Sequence, residues 1–260
     1  MIGAISGDII GSVYEWNNIK TTEFSLLSDD IFFTDDTVLT IATADCILNK
    51  KDFAAIYRSY CLKYPGRGYG GSFLNWAESG SSLPYGSWGN GSAMRVSPIG
   101  FAFDEIEKVL EVAEKSAIVT HNHPEGIKGA KSVAAAVFLA KQGKSREEIK
   151  NFIEDEFRYD LSESIDSIRE WYSFDVSCQG SVPQAIRAFY ESENFEDAIR
   201  KAISIGGDSD TIACITGGIA EAFYKVIPEK IKIAVFKVID SDMKKIIYDF
   251  YHNYFPDINI

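Results

Sequence analysis

Apolar residues recur along this chain at three- and four-residue steps, the spacing of one face of an α-helix. Val38, Leu39, Ile41, Ala42 and Leu48 lie in one such segment, with Asp45 among them. Ile106, Val109, Leu110 and Ala113 form another. The run from Lys131 to Lys141 is alanine-rich and mostly apolar, which predicts a buried helix. Ser145 and Glu148 make a capping-box pattern ahead of Ile149, Phe152 and Ile153. Pro183 suits the first turn of a helix reaching Tyr190. Asn194 suits the cap of the next, which carries Phe195, Ala198, Ile199 and Ala202. Ile212, Ile215, Ile219 and Phe223 mark a further buried helix. Pro228 opens a long C-terminal helical stretch through Ile231, Val235, Phe236 and Ile239, extended by Ile246, Ile247 and Phe250. Two-residue alternation is scarce, so the expected fold is all-α. No linker or repeat divides the chain, and one domain over 1–260 is expected.

The segment from Tyr64 to Gly100 breaks the pattern. It is rich in Gly, Ser and Pro and carries Tyr69, Trp76, Tyr85 and Trp88. A long irregular segment bearing aromatics predicts a binding loop, against the plainer reading of a surface connection.

Composition narrows the partners. The 260 residues are 46% hydrophobic and 13% aromatic, enough to bury a core. A net charge of -12 argues against nonspecific nucleic-acid binding and against docking on anionic membranes. Cys46, Cys61, Cys178 and Cys214 are scattered with no Cys-x-x-Cys pair, which points away from structural zinc and toward a reduced setting. No stretch has the make-up of a signal peptide or the length of a membrane span. A soluble, cytoplasmic monomer is expected.

Two acidic motifs change the picture. Thr34-Asp35-Asp36-Thr37 and Asp208-Ser209-Asp210-Thr211 each stand directly before a helical run. Helix capping accounts for one or two of these residues. It accounts less well for paired carboxylates joined by hydroxyls, a donor set that suits hard divalent cations. Gly206 and Gly207 ahead of the second motif allow a tight turn. A competing reading takes Ala202-Ile203-Ser204-Ile205 as a strand and Asp208 as the nucleophile of a haloacid-dehalogenase-like phosphatase. Asp8 reads locally as a helix cap, Glu15 as a solvated acid, Asn90-Gly91 as a turn, and His123 as a hydrogen-bonded structural residue.

Taken in order, five segments resemble the ADP-ribosylglycohydrolase family. They are Gly7-Asp8-Ile9-Ile10-Gly11 with Glu15, Thr34-Asp35-Asp36-Thr37, Gly89-Asn90-Gly91-Ser92-Ala93-Met94-Arg95, Thr120-His121 with Gly126 and Ala130, and Gly206-Gly207-Asp208-Ser209-Asp210-Thr211. The resemblance implies a compact all-α fold and a site for two magnesium or manganese ions. It implies Thr34, Asp35 and Asp36 as ligands from one side and Asp208, Asp210 and Thr211 from the other. Asn90, Gly91, Ser92 and His121 would bind ADP-ribose. The implied reaction cleaves the ribosyl bond to a protein side chain or small acceptor through an oxocarbenium-like transition state. Metal would orient the ribose hydroxyls and lower the pKa of a water. Glu15 is the first candidate for acid-base work, with Asp35 and Asp36 as alternatives. Tyr69, Phe73 and Trp88 are candidates for stacking on adenine. Some arginine-directed members carry an acid in the loop matching Gly66–Ser72, and this chain has none there. Arginine, serine and O-acyl linkages therefore stay open. So does a non-catalytic ADP-ribose-binding protein of the same fold.

Overall fold

The computed structural model describes residues 1–255; residues 256–260 of the expected single domain lie outside the described residues. The described chain folds into fifteen helices with no named strand. They are α1 (Ile2–Gly11), α2 (Asp35–Asn49), α3 (Phe53–Lys63), α4 (Gly71–Ser79), α5 (Gly91–Met94), α6 (Ser97–Ala102), α7 (Ile106–Ile118), α8 (Pro124–Lys141), α9 (Arg146–Phe157), α10 (Ile165–Trp171), α11 (Cys178–Glu191), α12 (Phe195–Ser204), α13 (Ser209–Tyr224), α14 (Glu229–Val238) and α15 (Ser241–Tyr254). The all-α expectation holds. The phosphatase reading fails, because Ala202 to Ser204 end a helix and form no strand.

The centre of the molecule is the pairing of α1 with α13. Every residue of α1 is buried. Burial of its isoleucines Ile2, Ile5, Ile9 and Ile10 contributes roughly 2 kcal/mol each. Gly3, Gly7 and Gly11 recur every four residues and turn one face of α1 onto the backbone of α13. A Cβ at Gly7 would overlap the Ala213 carbonyl, and one at Gly11 would lie 2.6 Å from the Asp210 Cα. Gly217 of α13 returns the arrangement by meeting the Gly3 carbonyl. Around this pair α8, α11 and α12 each pack on α13, while α2 joins α1 and is covered by α3 and α15.

Most predicted helix starts are where the sequence puts them. Ser145 and Glu148 form both bonds of the capping box, and Asn194 caps α12 by accepting from the Asp197 amide. Three expectations need correction. Pro183 is not in a first turn: α11 begins at Cys178, capped by the Ser177 side chain on the Gly180 amide, and Pro183 sits inside it above the exposed Gln179. The C-terminal helical stretch is two helices, because Ile239 turns extended and Asp240 caps a new start at the Met243 amide. The segment from Tyr64 to Gly100 is only partly irregular, holding α4, α5 and the start of α6.

The glycine face of α1 yields a stability prediction. Gly7→Ala raises helix propensity yet drives a methyl into α13. The expected result is a loss of about 2 kcal/mol or more in denaturant unfolding, whereas Gly70→Ala, with nothing within 4 Å of the added carbon, changes stability by about 0.5 kcal/mol or less. Equal stabilities for the two variants would refute the close-packing account.

Candidate active site

A cleft of about 320 Å³ lies where the start of α2, the start of α13 and the chain around Asn90 meet. Six of the acidic-motif residues line it: Thr34, Asp35, Asp36, Asp208, Asp210 and Thr211. Glu15, Asn90, Gly91 and His121 line it as well. The two motifs are thus neighbours in space, and the Thr211 hydroxyl donates to Asp36 Oδ2 at 3.1 Å.

The capping reading describes part of the first motif. Thr34 is the N-cap of α2, its hydroxyl 3.3 Å from the Asp36 amide. The larger share of capping comes from elsewhere. Asp8, inside α1 and fully buried, accepts from the Thr34 and Thr37 amides at 3.0 Å each and from the Thr34 hydroxyl at 2.7 Å. Asp8 therefore caps α2, not its own helix. Asp208 occupies the N-cap position of α13 without capping it. Its carboxylate instead accepts from the Asn90 amide nitrogen at 2.6 Å.

The turn before Asp208 is held from outside. Gly206 and Gly207 both have positive φ, at 75° and 71°. Asn18 pairs its side-chain amide with the Gly207 peptide, accepting from the nitrogen at 2.7 Å and donating to the oxygen at 2.9 Å. It also donates to the Tyr14 and Glu15 carbonyls, both at 2.8 Å, tying the Glu15 segment to this turn. Lys20 donates to the Ile205 and Tyr172 carbonyls.

Two carboxylate groupings result, Asp8 with Asp36 and Asp210, and Glu15 with Asp208 and Asp210, each with ligand atoms within 4.8 Å of one another. Asp210 belongs to both. Burial, then the Asp210 and Asp8 charges, hold Asp35 and Asp36 well above the usual carboxylate range. Burial followed by the Asp208 charge does the same to Asp210. Asp208 is pushed up to about 6, first by burial. Glu15, half-buried, is pushed up to about 7 by burial and then by Asp210 and Asp8. Among the described residues Asp36 Oδ1 is buried without a hydrogen-bond partner. Crowded, under-compensated oxygen donors of this kind fit a hard divalent cation.

The remaining predicted residues divide. Gly91 lies against His121, where an added Cβ would come 3.2 Å from Nε2. Asn90 spends its amide on Asp208 and on Ser181, at 2.9 Å. The Ser92 hydroxyl is fully buried and donates to the Gly126 carbonyl at 2.7 Å, away from the cleft. His123 is structural, as the sequence suggested: its ring caps α8 at the Glu125 amide. Of the aromatics, Phe73 and Tyr85 line the cleft, Tyr69 is buried and stacked behind Phe73, and the exposed Trp88 packs edge-on to His123. Phe174, stacked on Trp16, and Val176 also line the cleft. Nothing in the local pattern singled them out. Asp8 was legible only within the Gly7–Gly11 motif.

An all-helical fold closing two acidic helix starts around one cleft has a match among known proteins. The family model for ADP-ribosylglycohydrolase covers residues 1–255. The chain belongs to the ADP-ribosylglycohydrolase family, and with it to the glycosyl hydrolases. It is 28% identical to "ADP-ribosylhydrolase ARH3" of Xenopus tropicalis over 86% of this chain and 85% of that protein. The protein of the same name from Homo sapiens is 28% identical over 88% and 86% respectively. A solved structure titled "ADP-ribosylglycohydrolase-related protein complex" superposes with a TM-score of 0.74 at 21% identity, covering 97% of each chain, and shares the fold.

The carboxylate cluster sets the pH dependence of stability. A carboxyl raised by folding is unstrained while protonated, below its ordinary value of about 4. It costs stability as pH climbs through its raised value. Without divalent cations, thermal stability is expected to fall between pH 4 and 8, with Asp208 and Glu15 contributing through about 6 and about 7. Magnesium should raise Tm more at pH 8 than at pH 5. Differential scanning fluorimetry with magnesium or EDTA checks this, and a Tm indifferent to magnesium at pH 8 would refute it.

Proposed function

We propose that the chain hydrolyses the ribosyl bond joining ADP-ribose to a protein side chain or a small acceptor, releasing ADP-ribose, with two magnesium or manganese ions. The observation that carries this reading is the place of Asp210 in both carboxylate groupings beside the cleft. Relatives named as ADP-ribosylhydrolases support it. Thr34, Asp35 and Asp36 would hold the ions from the α2 side, and Asp208, Asp210 and Thr211 from the α13 side. Such ions, when bound, supply positive charge that neutralises the cluster, orients ribose oxygens and acidifies a water.

The chain's own groups divide the rest of the work. Glu15 has no helix start to cap and stands half-buried at the cleft, so it is the carboxylate freest to take a proton from the attacking water. Asp35 is the alternative. Asp36 is less free, since Oδ2 accepts from the Thr211 hydroxyl. Ionised carboxylates beside the sugar also favour the positive charge that develops on ribose. Burial and then the Arg95 charge hold His121 well below the usual imidazole range, so it meets the ligand as a neutral group. Phe73 and Tyr85 offer flat apolar surface for the adenine. Asn90 acts by fixing Asp208, and Ser92 by fixing the Gly126 backbone. The loop Gly66–Ser72 touches Asp35, whose amide donates to the Arg67 carbonyl at 2.7 Å, and it offers no acid to an acceptor. That favours serine-linked or O-acyl acceptors over arginine. The unit that acts is the whole chain as one domain.

Asp210→Asn should cut kcat/KM at least about 100-fold with magnesium present, while Tm measured in EDTA stays level or rises because a strained buried carboxylate is gone. A panel of arginine-linked, serine-linked and O-acetyl ADP-ribose, assayed for free ADP-ribose, tests the reaction itself. Release from none of them would sink the reading, and calorimetric binding without release would assign a binding role instead.

A further inference from the structure

We infer that Arg95 and Thr120 are positioning residues that fix the tautomer of His121, so that its ring presents an Nε2–H donor to the cleft. Only the identity of the ligand rests on the proposed function; the tautomer does not.

The bonds run in one direction. Arg95 is fully buried, and its Nη2 donates to the Ser116 carbonyl and to the Thr120 hydroxyl oxygen, both at 2.9 Å. A guanidinium is a donor only, so Thr120 Oγ1 must accept there. The Thr120 proton is then left for its other bonded neighbour, His121 Nδ1, at 2.8 Å. Nδ1 accepts, which places the ring proton on Nε2. That nitrogen faces Gly89 and Gly91, both of which line the cleft. The ring plane is held by Tyr85, edge-on with centroids 5.8 Å apart.

The arrangement explains an otherwise puzzling arginine. Among the described residues Arg95 has no carboxylate partner and its Nε and Nη1 have no hydrogen-bond partner; its charge lies 4.2 Å from the centre of the Tyr57 ring. Such burial is unfavourable for a residue that merely fills space. Here the cation orders a hydroxyl and adds to the effect of burial, which is the larger cause, in keeping the imidazole uncharged. A neutral N–H then meets an ester or hydroxyl oxygen of ADP-ribose. The opposite tautomer would aim a lone pair at the same oxygen.

Histidine-selective ¹⁵N NMR reads this directly. The chain has three histidines, and the His121 signals are assigned by their loss in His121→Ala. At neutral pH the wild type is expected to show His121 as the Nε2–H tautomer. Thr120→Val should give a tautomer mixture and weaken calorimetric ADP-ribose binding about tenfold, the worth of one hydrogen bond. Thr120→Ser should restore both. An Nδ1–H tautomer in the wild type, or an unchanged Nε2–H tautomer in Thr120→Val, would overturn the inference. Absence of ADP-ribose binding by the wild type would count against the proposed function and leave the tautomer measurement to decide this one.

Discussion

The near contact of two helix backbones, α1 against α13, is the constraint on which the rest of this molecule depends. Three glycines spaced four apart remove the side chains that would hold the helices apart. Asp8 and Asp210 are thereby drawn into one cluster. From Asp8 the geometry passes to α2, whose first amides it caps, and so to Asp35 and Asp36. From Asp210 it passes to Asp208 and Asn90. A single packing distance therefore decides how Asp8, Asp36 and Asp210 stand toward one another.

The same closeness is unfavourable by itself. Carboxylates pressed together in a buried setting repel and lose hydration, and several are displaced far from their ordinary titration range as a result. The isoleucines of α1 and the almost wholly buried α13 offset that cost. The molecule thus holds, in a rigid apolar frame, a charge arrangement that water alone would disperse.

Helical periodicity and capping chemistry made much of this frame legible. Ser145, Asn194 and the run after Asp210 are read correctly because their signals are local. Pro183 misled because Ser177, six residues earlier, supplied a stronger start. Asp240 was hidden because apolar spacing runs on across the break. In the site, the two acidic motifs were visible as residue types, and the family resemblance ordered them. What local pattern does not carry is tertiary in origin. Asp8 capping a different helix, Asn18 pairing with a peptide about 190 residues away, Arg95 ordering Thr120, and Phe174 lining the cleft all arise from contacts between distant segments.

The seam between α1 and α13 also bears on how the molecule comes into being. Its two faces are separated by about 200 residues, so chain closure must bring together segments that are unrelated for most of synthesis. A polypeptide emerging from the ribosome carries Asp8, Asp35 and Asp36 long before Asp208 and Asp210 exist to meet them. Pairings of such high sequence separation form slowly and late. The cleft is therefore among the last parts of the molecule to be completed, and the acids from the first helices spend that interval hydrated and apart.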